Sequence, residues 1–162
     1  MQKFAAFLVL SLVVTGFSAT HKVPQDEPIA TISIPDKWLT KALGEGVEAT
    51  SPDGALRLIT IPPEGKKVAE GMGELMRYIR NTDGIVVKPE SIKNEPGTLN
   101  GVDIRNVSWQ GKDRKGGDVN IRFTIVSFAN SKQLLVACWG PPKAEKKYEP
   151  VVKKMLLSIK QT

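Results

Sequence analysis

The chain holds one cysteine and one histidine, and those two residues bound the chemistry it can do. Cys138 stands in Ala137-Cys138-Trp139-Gly140-Pro141-Pro142-Lys143, nearly the letters of a thioredoxin-type site in another order. Such a site needs tryptophan before the first cysteine and a second cysteine three residues on, so that one thiolate attacks and the other resolves the mixed disulfide. Here Trp139 follows the thiol, Pro141 takes the place of the second one, and too little chain remains for the strands that should follow. The segment reads instead as a strand entering a turn, with Gly140 supplying unusual dihedrals and Pro141-Pro142 preventing continuation. Cys138 itself, in the apolar run Leu134 to Trp139, is expected to behave as a small buried hydrophobe.

Other catalytic designs fail for want of a companion residue. Serine or cysteine hydrolysis needs a base, and the one histidine, His21, lies in a polar stretch that reads as a flexible leader. No nucleophile elbow is present. Gly44-Glu45-Gly46 and Gly71-Met72-Gly73 lack the third glycine and the lysine of a phosphate-binding loop. The acids Glu45, Glu48, Glu70, Glu74, Glu90 and Glu95 are scattered, without the clustering a metal site or a glycosidase pair requires. Asn106-Val107-Ser108 matches a glycosylation sequon inside an expected strand. No catalytic residue, metal ligand or cofactor is therefore assigned, and the protein is expected not to be an enzyme. Trp38, Trp109 and Trp139 read mainly as core or sheet-edge fillers. One grouping suggests recognition: Trp109 with Arg105, and Arg122 on the facing strand, where an aromatic beside guanidinium groups on an open sheet face could anchor a partner. That grouping assumes a register.

The elements that would hold these residues follow from periodicity. Met1 to about Ala19 carries Lys3, the apolar run Phe4 to Val14, then small and polar residues, the pattern of a secretory signal peptide. Its apolar core falls short of the roughly 20 residues a spanning helix needs. Residues 20–28 read as a flexible leader containing His21, and residues 29–162 as a single domain. Ile29 to Ile34 alternates as a strand, and Val47 to Thr50 with Ala55 to Ile61 brackets the turn Ser51-Pro52-Asp53-Gly54. Val68, Met72, Leu75, Met76 and Ile79 mark one face of a helix stopped at Asp83-Gly84.

Ile85 to Lys88 is a short strand, followed by a polar connection through Pro96-Gly97 and Asn100-Gly101. Val102 to Gln110 and Asp118 to Phe128 form a long hairpin, with a bulge expected near Arg105-Asn106 where the apolar phase shifts. Leu134 to Trp139 is a further strand, and Tyr148, Val151, Val152, Met155, Leu156 and Ile159 recur at helical spacing. The order βββ-α-ββββ-α predicts an α+β protein, a mainly antiparallel sheet flanked by helices in an α/β/α sandwich.

The opening Ile32 to Trp38 (ISIPDKW), the hairpin Thr50 to Ile61 (TSPDGALRLITI), the long paired strands to Trp139-Gly140 and the closing Tyr148 to Lys160 (YEPVVKKMLLSIK) carry a resemblance. Together they resemble the Mog1/PsbP-like superfamily, including small exported bacterial domains of the DcrB kind. The resemblance implies that fold and a binding or accessory role, and supplies no catalytic residue.

The formal charge is +6, from 23 basic and 17 acidic residues. It is spread along the chain, with concentrations at Lys112, Arg114 and Lys115 and across the lysines from Lys143 to Lys160. These read as a hairpin tip and the wet face of a helix, leaving room for weak contact with an anionic surface. Export argues against nucleic acid. The expected location is secreted or periplasmic, and the expected partner another cell-envelope protein. A small-ligand binder with a pocket between sheet and helices is the alternative.

Overall fold

The computed structural model describes residues 18–63 and 67–162. Along them run β1 (Ser18–Val23), β2 (Ala30–Pro35), β3 (Leu39–Leu43), β4 (Gly46–Thr50), β5 (Arg57–Ile61) and α1 (Val68–Asp83). Then come β6 (Val86–Leu99), β7 (Val102–Lys112), β8 (Asp118–Ser127), β9 (Gln133–Gly140), α2 (Pro142–Leu157) and β10 (Lys160–Gln161). A seven-stranded antiparallel sheet has the order β3-β4-β5-β9-β8-β7-β6, and a small sheet has β1-β2-β10. The result is the expected α+β arrangement, a mainly antiparallel sheet between helices.

Strand alternation decides what each helix covers. On β8, Ile121, Phe123 and Ile125 join Ile59, Leu135 and Ala137 of neighbouring strands against Leu75 and Ile79 of α1. The opposite parity, including Leu58, Leu134, Val136 and Val126, packs with Tyr148 and Met155 of α2 and with Ile32 and Ile34 of β2. Because both faces of β9 are largely covered, it is apolar from Leu134 to Trp139, whereas β8 keeps Asn120, Arg122 and Thr124 on its α2 face. Burying each large apolar side chain contributes about 1.5–3 kcal/mol.

Chain punctuation sets the ends. Gly84 adopts φ 67° and its N–H donates to Arg80 O, ending α1 in a left-handed cap. Arg114, from the β7–β8 tip, lays its guanidinium on the same helix end and donates to the carbonyls of Asn81 and Thr82 at 3.3 and 3.4 Å. After β9, Pro141 and Pro142 start α2, so Ala137 to Lys143 is the strand-to-helix turn read from the sequence. Gly140 serves close approach rather than unusual dihedrals: a Cβ there would lie 2.5 Å from the carbonyl oxygen of Ala55.

Several expectations are corrected. The signal peptide expected over residues 1–19 lies outside the described residues, apart from Ser18 and Ala19, which belong to β1. The leader is not free chain, because β1 pairs with β2 from Ser18↔Pro35 to Val23↔Ala30 and Val23 is fully buried. Leu39–Leu43 adds a further strand, so five rather than three precede α1. The polar connection after Lys88 is instead the continuation of β6, paired with β7 through Leu99↔Val102. Its side chains are mostly exposed, which hid the alternation. The bulge lies in β6, between Lys88 and Lys93, whereas β7 pairs with β8 without a break through Arg105 and Asn106. The apolar phase shift from Ile104 to Val107 reflects burial on opposite faces of one regular strand. The last helix begins at Pro142, six residues before Tyr148.

Candidate functional site

Two polar arrangements flank the sheet, and they differ in kind. On the α1 face, Glu48 of β4 is 1% exposed and accepts hydrogen bonds from Arg57 Nε at 2.9 Å and Tyr78 Oη at 2.7 Å. Lys41 Nζ stands 3.1 Å from the same carboxylate, and Arg57 Nη2 pairs with it as well. Arg57 reaches across to Asp83, which also accepts from Trp139 Nε1 at 2.7 Å. The guanidinium lies 5.5 Å from the Trp139 ring centroid. Burial alone pushes Glu48 upward, but the hydrogen bonds from Tyr78, Arg57 and Lys41 together outweigh it and hold the carboxyl below its ordinary value. A carboxylate this fully bonded is held ionised and has no basicity to spare. The network ties β3, β4, β5, β9 and α1 together.

The α2 face carries a cleft of about 520 Å³. Its origin is geometric. Ala144, Tyr148 and Met155 turn one flank of α2 into the core, where Tyr148 packs edge-on against Trp38. The other flank, with Glu145, Glu149, Val152 and Leu156, overhangs the sheet towards β7 and β6. Val136, Cys138, Thr124, Asn106 and Ile104 lie along the sheet side, and Thr98 and Leu99 of β6 line the far side. At one end Asn100, at the tip of the β6–β7 hairpin, donates to the carbonyl of Leu157 at 2.8 Å. At the other, Glu145 accepts from Arg122 Nη2 at 2.9 Å and from Asn120 Nδ2 at 2.5 Å. Both ends of the overhang are thus tied to the sheet, and the cleft is preformed. On its floor Thr124 Oγ1 donates to Asn106 Oδ1 at 2.8 Å.

Cys138 faces this cleft half-buried. Burial pushes its thiol up to about 12, with the charge of Glu145 adding to the effect. It stays almost wholly protonated at neutral pH, which makes it a slow nucleophile. Among the described residues no group of three or more His, Cys, Asp and Glu is arranged to hold a metal ion. His21 sits half-buried in β1, its Nε2 enclosed without a hydrogen-bond partner among the described residues. No helix among the described residues is long and apolar enough to cross a membrane.

The grouping of Arg105, Trp109 and Arg122 is divided by the register. Trp109 pairs with Ile121 and Arg105 with Ile125, so both point to the α1 side, where Trp109 stacks edge-on against Phe123 at 5.4 Å. Arg122 pairs with Ser108 and points to the α2 side, into the ion pair with Glu145. Only Arg122 belongs to the cleft. Sequence reasoning missed the rest of the cleft because its far side is β6, read as a connection. The usable signal was parity: Arg122, Thr124 and Cys138 share one face once β8 and β9 are aligned.

The architecture defines a class, a twisted antiparallel sheet with one helix on each face and a cleft beneath the C-terminal helix. No known family's sequence pattern matches the chain, and no curated protein matches its sequence. Solved structures match nearly all of it. Cyanobacterial PsbP (CyanoP) from Synechocystis superposes with a TM-score of 0.60 at 8% identity, covering 94% of this chain and 96% of that one. LpqN, involved in cell envelope biogenesis of Mycobacterium tuberculosis, gives 0.52 at 10% identity, covering 90% and 91%. The Saccharomyces cerevisiae Ran-binding protein Mog1p gives 0.49 at 9% identity, covering 91% and 96%. The chain has the Mog1/PsbP-like fold.

Proposed function

We propose that this is an exported accessory protein without catalytic activity, and that it works by holding a ligand in the cleft beneath α2. The observation that carries the reading is the contrast between the two faces. On the α1 side the charged groups are consumed by one another, whereas the α2 side offers a preformed hollow with apolar walls and a charged rim. A volume near 520 Å³ falls within the range of small-ligand sites, about 300–1,000 Å³. The structure thereby favours the pocket between sheet and helix over a flat contact surface as the working part. Export rests on the signal-peptide pattern of the first residues, and an envelope role is supported by the shared fold of LpqN, a protein involved in cell envelope biogenesis. A partner in the envelope would then deliver or receive what the cleft holds.

The test is native mass spectrometry of the protein purified from its own host, beside the variant Cys138→Phe, whose ring projects into the hollow. A bound species on the wild type that is missing from the folded variant is the expected result. Identical spectra with no adduct, together with hydrolytic or redox turnover traced to this chain, would overturn the reading.

A further inference from the structure

The cleft's shape and charges narrow what it can hold. Leu99, Ile104, Val136, Val152 and Leu156 give it a largely apolar lining. It lies between a helix and a strand edge, with both ends tied, so its occupant is narrow and chain-like rather than a folded surface. Desolvating those side chains favours an apolar body. The charges then select the other end of the ligand. Arg122 and Glu145 neutralise each other through their 2.9 Å contact. Three charged groups remain on the lining, Lys146, Lys153 and Glu149, all exposed on the outer edge of α2 and none of them in an ion pair among the described residues. Two positive charges against one negative leave the rim net positive. Lys143 and Lys154 extend that sign along the exposed face of the helix. The lysines stand two turns apart, about 10 Å, so an acidic head emerging at the mouth meets one or the other.

We propose that the cleft beneath α2 binds an anionic single-chain amphiphile, its chain against Val136, Val152 and Leu156 and its acidic head at Lys146 or Lys153. The proposal rests on the cleft being the binding site and adds the chemical class of its occupant. Cys138, beside the chain's path, is covered when the ligand is in place. Glu149 works against binding and limits affinity.

Laurate is the probe, used below its aggregation concentration, with dodecyltrimethylammonium as the same chain carrying the opposite charge and butyrate as the acid without the chain. In calorimetric titration laurate binds one molecule per chain, the cationic amphiphile binds roughly tenfold more weakly or worse, and butyrate gives no heat. The double variant Lys146→Glu/Lys153→Glu weakens laurate roughly tenfold, Glu149→Gln tightens it a few-fold, and Cys138→Phe abolishes it. At pH 9, where enough thiolate forms for slow alkylation, saturating laurate also slows the reaction of the wild-type Cys138 with iodoacetamide several-fold, a readout that needs no variant to fold. Equal affinity for the two amphiphiles, with both lost in Cys138→Phe, would overturn the anionic assignment while leaving the cleft as the site. No protection of Cys138 and no binding of any chain would overturn both.

Discussion

Replacing Arg57 by methionine separates structure from binding, because the arginine serves the α1 face and lies across the sheet from the cleft. Its guanidinium bridges Glu48, 1% exposed, and Asp83. Methionine keeps the apolar stem but strands both carboxylates. Removing one member of a buried ion pair costs about 3–5 kcal/mol, and losing the contact with the Trp139 ring costs about 0.5–1 kcal/mol more. Glu48 keeps Tyr78 and Lys41, and Asp83 keeps Trp139 Nε1, which places the expected loss near the low end, about 3–4 kcal/mol at pH 7. The acid limb should change sign. In the wild type the Glu48 carboxyl lies below its ordinary 4.5, so its stabilisation is complete above that pH and fades as pH falls through the folded value. In the variant, burial faces fewer opposing hydrogen bonds and raises the folded value. The carboxyl then destabilises at neutral pH and ceases to do so on protonation. Urea titrations followed by tryptophan fluorescence should show the difference between the proteins shrinking from pH 7 to pH 4, with laurate affinity unaltered. A loss below about 1 kcal/mol, or one independent of pH, would refute the reasoning.

Three further outcomes are expected. His21 has its imidazole held below the ordinary 6.5 by burial, so the stability it permits is complete above that pH and declines as pH falls through the folded value. His21→Gln should flatten the fall in melting temperature between pH 7 and pH 5. Gly140→Ala places a Cβ 2.5 Å from Ala55 O and 2.9 Å from Leu56 Cδ1, and should cost about 1–3 kcal/mol in the same urea assay. Thr60 is fully buried with a hydroxyl that has no partner among the described residues. Thr60→Val should raise stability by about 1 kcal/mol.

Elements with a buried face were legible from sequence, and elements without one were not. α1, the β4–β5 hairpin, the β7–β8 hairpin and β9 each bury alternating or helically spaced apolar residues, so their periodicity is written in the letters. β1 and β3 are short edge strands whose side chains are mostly exposed, and β6 is a long edge strand carrying Pro89 and Pro96, features of loops as much as of protected edges. Those strands owe their conformation to the neighbour they pair with, which a local pattern does not record. The candidate site inherits that limit. Arg122 was singled out, but its companions depended on whether Trp109 or Ser108 faced it, and Ser108 does. The network around Glu48 joins the consecutive strands β3, β4 and β5 to α1 and to β9, which lies more than seventy residues beyond β5 along the chain. Nothing in the spacing of its members announces it. The lone thiol lies in the apolar strand where it was expected, its pKa raised by burial, whereas His21 sits in a strand rather than in free chain.

Residue-resolved NMR during titration with laurate reaches the central claim most directly. Resonances of Thr124, Cys138, Val152 and Leu156 should move together and saturate at one ligand per chain, while those of Glu48, Tyr78 and Trp139 stay in place. Shifts centred on the α1 face, or none at all in the cleft at saturating ligand, would contradict it.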